Sequence, residues 1–209
     1  MVGGPGKRLS GMWQRGMRRV FLPDFVVDSV QCLSPEFLGK VGLKALLLDL
    51  DCTLKPYRAK TIAPEVIGWI EELQENGVRL FLVSNGRLSR VMPLAKQVGL
   101  PYIAPAWKPF PFALWRAVRR LGVERKSTAM VGDQIFADVL AARLAGLRSI
   151  LVTPIFPDQE PWWTRLKRPL ETLVTGKKRL EGACSPGRPE RTTCPQNRPG
   201  LAESSEDVP

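Results

Sequence analysis

The chain has 209 residues, 44% hydrophobic and 24% charged, enough for one domain with a sizeable core. It contains no histidine, which excludes Ser-His-Asp and Cys-His catalysis, histidine-ligated zinc and imidazole acid–base chemistry, and leaves proton transfer to carboxylates, Lys, Tyr or Cys. A net charge of +11 favours anionic partners without choosing among nucleic acid, acidic lipid surfaces and phosphorylated substrates.

Residues 1–20 carry Lys7, Arg8, Arg15, Arg18 and Arg19 and no acid, interleaved with Met12, Trp13, Met17 and Val20. Over 9–31 this composition suits a surface-active helix at a membrane interface and, equally, ordinary packing against a domain. Residues 1–8, with Gly3, Gly4 and Gly6, read as a solvated start. No continuous apolar stretch marks a secretory signal, and no run approaches the ~20 residues that span a bilayer. The four cysteines, Cys32, Cys52, Cys184 and Cys194, form no Cys-x-x-Cys pair. A zinc site is therefore not expected; Cys32 and Cys52 are expected as reduced thiols in a cytoplasmic protein, and Cys184 and Cys194, in the tail, as incidental.

From residue 45 the chain alternates. Ala45–Leu48 is a buried strand, and Pro64–Asn76 a helix with Pro64 at its first position and Val66, Ile67, Ile70 and Leu73 as its apolar stripe. Arg79–Val83 is the second strand. Leu88–Val98 is a helix that Pro93 should bend or start late. Tyr102–Ala104 is a short strand and Phe110–Leu121 a helix stopped by Gly122. Thr128–Val131, a helix over Ile135–Ala145 and Arg148–Val152 complete the series. Strands alternating with helices on short connections predict an α/β fold, a doubly wound, Rossmann-like parallel sheet of five strands. The segmentation is a basic, partly ordered N-terminal segment over 1–40, a domain over 41–175 and a disordered tail over 176–209. That tail has nine Pro or Gly among its 34 residues and no apolar periodicity.

Polar residues gather where the strands end. Asp49 and Asp51 follow the first strand, Ser84 the second, and Gly132-Asp133 the fourth, while Lys108 lies in the loop after the third. In a parallel sheet these ends share one edge, the edge at which open α/β sheets bind ligands. Carboxylates with phosphate oxygens suit Mg²⁺, and a lysine with a small hydroxyl suits a phosphoryl group. Taken singly, each has a plainer reading: Ser84 as a turn residue, Lys108 as a solvated lysine, Asp133 as a helix cap, Asp138 on a polar helix face.

The run Asp49-Leu50-Asp51-Cys52-Thr53, then Ser84, Lys108, and Gly132-Asp133-Gln134 with Asp138, resembles the four motifs of the haloacid dehalogenase-like (HAD) phosphatases, over residues 45–153. Leu22-Pro23-Asp24, Val83-Ser84-Asn85, Lys108-Pro109 and Asp138-Val139-Leu140 are similar to the YqeG-type branch of subfamily IIIA, which includes phosphatidylglycerophosphate phosphatases. The resemblance implies an HAD-like fold and roles for six residues. Asp49 would be nucleophile and metal ligand. Asp51 would be general acid then base, its main-chain carbonyl also touching the metal. Ser84 would bond a phosphoryl oxygen, and Lys108 would neutralise developing charge. Asp133 would bind Mg²⁺, with Asp138 as a direct ligand or a support for one. Cys52 departs from the branch, which usually has Asn there.

The gaps from Asp51 to Ser84 and from Ser84 to Lys108 hold no room for a large cap domain, so the site is expected to be open. A bulky phosphorylated substrate, an anionic lipid head group above all, could then reach it, with peripheral membrane contact through the N-terminus or through Trp162-Trp163 beside Arg165, Lys167 and Arg168. A soluble phosphatase for nucleotides, sugar phosphates or phosphoproteins uses the same residues. A non-catalytic nucleic-acid binder ranks last: no aromatic stacking pattern is present, so no nucleic-acid partner is expected.

Overall fold

Leu46, Leu47 and Leu48 are fully buried, as a strand enclosed on both faces requires. They belong to Ala45–Leu48, the second of six parallel strands, and lie between two neighbours near the sheet centre. The structure, a computed structural model, describes residues 21–155. In chain order it contains β1 (Phe25–Val27), a 3₁₀ turn (Val30–Cys32), α1 (Pro35–Lys40), β2 (Ala45–Leu48), α2 (Pro64–Glu75), β3 (Arg79–Val83) and α3 (Leu88–Gln97). It continues with β4 (Tyr102–Ile103), α4 (Phe112–Leu121), a 3₁₀ turn (Arg125–Ser127), β5 (Thr128–Gly132), a π-helical turn (Ile135–Val139), α5 (Leu140–Ala145) and β6 (Arg148–Val152). The sheet order is β1-β6-β5-β2-β3-β4.

From β2 the chain steps outward through β3 to β4, then returns to lay β5 on the other side of β2. The winding therefore reverses at β2, and the crevice beside its carboxyl end is the expected ligand position. Period-2 alternation sends Leu46 and Leu48 to one face and Leu47 to the other. On the first face, Leu46, Leu48, Leu80 and Leu82 pack with Val66, Ile70 and Leu73 of α2 and Leu94 of α3. On the second, Leu47, Phe81 and Met130 pack with Leu114 and Ala117 of α4 and Ala142 of α5. Burying eight large apolar side chains on the first face and four on the second, at ~1.5–3 kcal/mol apiece, is what sets the strand ends rigidly in place.

Three expectations are corrected. The sheet has six strands rather than five: Phe25–Val27 pairs in parallel with Ile150–Val152 at the far edge. For this part of the 9–31 segment the second reading holds, packing against the domain, as a strand; the Asp24 main-chain N–H donates to the Ser149 carbonyl at 3.0 Å and starts the pairing. The helix expected over Ile135–Ala145 is α-helical only from Leu140, its first turn being wound as π. Finally, α3 begins at Leu88 with Pro93 inside it, so Pro93 does not mark a late start. Residues 1–20, Trp162-Trp163 with its neighbouring cations, Cys184, Cys194 and the tail from 176 lie outside the described residues.

Candidate active site

The apolar run of β2 ends at Asp49, whose N–H donates to the Val131 carbonyl at 2.9 Å and so continues the ladder for one more residue. Asp49 is buried, as are Asp133 after β5 and Asp138 in the π turn. One carboxylate oxygen from each of the three lies within 4.8 Å of the others. The Lys108 ammonium bridges two of them, at 2.7 Å from Asp49 Oδ1 and 2.7 Å from Asp138 Oδ1. Thr53 donates its hydroxyl to Asp133 Oδ1 at 3.3 Å. Ser84 is buried at the end of β3, where its Oγ accepts from the Gly86 N–H at 3.1 Å.

Two local features explain how Asp138 gets there. Its Oδ2 accepts from the Gln134 N–H at 3.1 Å, so Asp138 rather than Asp133 satisfies the opening of that turn. It also lies directly against the main chain at Gly132, where a Cβ would come within 2.2 Å of the Asp138 carboxyl carbon. Only glycine leaves that space. The widened π turn carries the carboxylate inward over it, a use of such turns common at functional sites.

A family profile described as haloacid dehalogenase-like hydrolase matches residues 26–146. The chain belongs to that family. This hydrolase is 32% identical over 166 residues to the probable phosphatase YqeG of Bacillus subtilis, covering 79% of this chain and 96% of that protein. It is 24% identical over 166 residues to phosphatidylglycerophosphate phosphatase 1, chloroplastic/mitochondrial, of Arabidopsis thaliana, covering 75% of this chain and 48% of the relative. Among solved structures, the 3-deoxy-D-manno-octulosonate 8-phosphate phosphatase of Moraxella catarrhalis, in complex with magnesium, phosphate and KDO, aligns at a TM-score of 0.44 and 16% identity. That alignment covers 67% of this chain and 92% of the other. The enzymatic class is that of a phosphatase.

Burial, the largest influence, raises the Asp49 carboxyl of this hydrolase from 3.8 to about 7; Lys108 opposes the rise, while Asp138 and Asp51 add to it. Burial also works against the charge on Lys108. The adjacent Asp138 and Asp49 outweigh it and hold the ammonium above its ordinary value. The four groups together carry three acids against one base.

Asp51 stands outside the carboxylate cluster. Its Oδ1 is gripped by Lys55 Nζ at 2.8 Å and by the Arg90 guanidinium. Its Oδ2 points towards Gly86 and Ser84: a Cβ on Gly86 would sit 3.8 Å from that oxygen and 3.3 Å from Ser84 Oγ. Lys55 is fully buried, its ammonium also donating to the carbonyls of Pro56 and Tyr57. Arg90 stacks over the Tyr57 ring at 4.4 Å. Sequence reasoning missed Lys55 and Arg90. A lysine four residues after Asp51 was a usable ion-pair signal, whereas Arg90 is one of 31 basic residues and carried none. It also missed the work of Asn85, whose side-chain amide closes a reciprocal pair with the main chain of Lys108: Nδ2 donates to the carbonyl at 3.0 Å, and Oδ1 accepts from the N–H at 2.8 Å. That pair fixes the β4 loop against the end of β3. Cys52 is buried with φ of 61°, the left-handed conformation that Asn adopts more readily than other side chains.

Proposed function

We propose that this phosphatase is a Mg²⁺-dependent phosphomonoesterase that works through an aspartyl-phosphate and converts phosphatidylglycerophosphate to phosphatidylglycerol. The observation supporting the chemistry is the convergence of Asp49, Asp133 and Asp138 within 4.8 Å, with Lys108 bridging Asp49 and Asp138. The donor set is all hard oxygen and its acids outnumber its base, which fits a small divalent cation. Asp49, Asp133 and Asp138 would hold it, with the Asp51 main-chain carbonyl beside them. Bound there, Mg²⁺ would favour the ionised form of Asp49 and draw charge from the phosphoryl oxygens.

With Oδ1 of Asp49 held by Lys108, its Oδ2 is the oxygen left to attack phosphorus. The ester P–O bond breaks as the new Asp49–phosphorus bond forms, and Asp51 gives its proton to the leaving alkoxide. Asp51 then takes a proton from water, the hydroxide oxygen bonds to phosphorus, and the Asp49 bond breaks to release phosphate. Asp51 Oδ2, clear of both cations, is the oxygen placed to exchange that proton. Lys108 offsets the charge that builds on the phosphoryl oxygens, and Ser84 donates its hydroxyl to one of them.

The lipid substrate is supported by the Arabidopsis relative and by access. Between Asp51 and Ser84 the chain holds only α2 and β3 as regular elements, and between Ser84 and Lys108 only α3 and β4, so neither gap holds a cap domain. Phosphate release from phosphatidylglycerophosphate in mixed micelles, compared with a panel of soluble phosphomonoesters, tests the proposal. The expected result is Mg²⁺-dependent release from the lipid, reduced more than about a thousandfold in Asp49→Asn. Good turnover of soluble esters with none of the lipid overturns the substrate; an active Asp49→Asn overturns the mechanism.

A further inference from the structure

Large apolar side chains stand in solvent on one side of the site. Trp107 is 71% exposed, Phe110 59%, Phe112 68% and Leu88 50%. They are continuous: the Phe110 and Phe112 rings stack with centroids 6.4 Å apart, and Phe112 meets Trp115 edge-on at 5.7 Å. Between Leu88 and Trp107 opens a cavity of about 540 Å³, lined also by Arg87, Phe110 and Lys108, the lysine whose ammonium touches Asp49. The apolar rim and the catalytic cluster therefore share a mouth. Trp107 holds its position with φ of 55°, a strained conformation for a bulky residue. A contiguous exposed aromatic patch of this kind marks an interaction surface.

Charge identifies what the surface meets. From Asn85 to Val123 there is no acidic residue, and there are seven lysines and arginines. On α4, Phe112 and Trp115 share a helical face with Arg116 and Arg119, the i, i+3, i+4, i+7 spacing. The Arg125 guanidinium lies 5.5 Å above the Trp115 ring. Exposed aromatic side chains beside arginines, on a stretch of chain that carries no acid, are the composition of a bilayer interface contact. A protein partner or a second copy of this chain would present acids and hydrogen-bonding groups. This rim offers apolar tips and cations, which suit acyl chains beneath anionic headgroups.

We propose that the rim formed by Leu88, Trp107, Phe110 and Phe112, with the arginines of α4, is a docking face for an anionic phospholipid bilayer. It turns the mouth of the carboxylate site towards the headgroups, with the adjoining cavity receiving the upper part of an acyl chain. The proposal rests on the lipid reading of the site for its purpose, but its test measures binding without catalysis, so the two can fail separately.

The test is co-sedimentation of the full chain with equimolar phosphatidylcholine–phosphatidylglycerol vesicles and with pure phosphatidylcholine vesicles, for wild type, Trp107→Asn/Phe110→Ser, Phe112→Ser, Arg116→Glu/Arg119→Glu and Trp162→Ser/Trp163→Ser. Asn is chosen at 107 because it tolerates the left-handed backbone. All the rim side chains replaced are exposed, so unfolding midpoints are expected to stay near wild type. The expected result is binding to the anionic vesicles alone, weakened roughly tenfold or more by either rim variant and by the charge reversal, since interfacial affinity scales with inserted apolar area and with attraction to anionic lipid. It should be little changed by the tryptophan pair at 162–163. Wild-type failure to bind, or rim variants that bind as wild type, overturns the proposal. So does a shift in gel filtration from dimer to monomer in the rim variants, which would assign the face to a second copy.

Discussion

At the scale of single residues, Gly132 and Asp49 show how closely this site is packed. A methyl group at 132 would have to occupy the volume of the Asp138 carboxyl, 2.2 Å away. The carboxylate cannot yield freely, because it holds both Lys108 and the Gln134 N–H. Gly132→Ala is therefore expected to cost about 2–4 kcal/mol and to abolish activity, measured by chemical denaturation and phosphate release. Gly68→Ala, where nothing lies within 4 Å of the added carbon, is the control. Asp49 carries a different cost. A carboxyl that titrates near 3.8 unfolded and at about 7 folded binds its proton more tightly in the folded chain. The stability it contributes is complete below the unfolded value and is lost as pH rises through the folded one. In metal-free buffer Asp49→Asn removes that loss. Its unfolding midpoint should exceed wild type by the equivalent of about 1–2 kcal/mol near pH 8, the difference vanishing towards about pH 4. A variant less stable than wild type at the upper pH would show that the carboxylate is held comfortably charged without metal.

At the scale of elements, one side chain anchors the start of β1. Asp24 Oδ2 accepts from the Ser149 N–H at 2.8 Å and from the Ser149 hydroxyl at 3.1 Å, while Oδ1 meets Arg143 at 2.9 Å. Main-chain pairing with β6 and the burial of Val27 hold this three-residue edge strand, and Asp24 anchors its start on Ser149, which is fully buried. Asp24→Ala leaves the buried Ser149 N–H without that acceptor and is expected to cost about 2–3 kcal/mol. Hydrogen exchange should rise first over Phe25–Val27 and β6; protection unchanged there would refute the latch. The same strand shows where the sequence was hard to read. Leu22-Pro23-Asp24 was visible as part of a resemblance, yet Phe25-Val26-Val27 is too short for a period to show, and its pairing partner lies 125 residues away. The strands of the centre were legible because full burial demands unbroken apolar runs, and the acids stood out by ending them. The π turn was not legible: a helix widened to accommodate Asp138 against Gly132 has the same apolar spacing as an ordinary one. Asp51 was legible as an acid, but its pairing with Arg90 was not, since nothing local distinguishes one arginine on α3 from the rest.

At the scale of the whole molecule, a strongly basic chain concentrates three of its acids at one point of its interior. The wider field of +11 attracts anions to the surface, whereas the cluster at the carboxyl ends of β2 and β5 attracts a cation. These tendencies meet there, and among the described residues Lys108 bridges two of the three acids, Asp49 and Asp138. Whatever neutralises the remainder should stabilise the entire domain, because two of the three carboxylates follow its central strands and the third lies in the turn after β5. Mg²⁺ at a hundred times its dissociation constant is expected to add about 2.7 kcal/mol, which for a domain of this size raises the unfolding midpoint by roughly 5–11 °C. Asp133→Asn should reduce that response to the level given by NaCl of matched ionic strength, while the variant itself unfolds within about 1 kcal/mol of wild type in metal-free buffer, since one like charge is removed as one possible ligand is lost. Differential scanning calorimetry with and without EDTA distinguishes the cases. A Mg²⁺ response equal in Asp133→Asn and wild type would place the cation elsewhere on the molecule. An absent response in wild type would mean that Lys108 already supplies all the positive charge the three acids need.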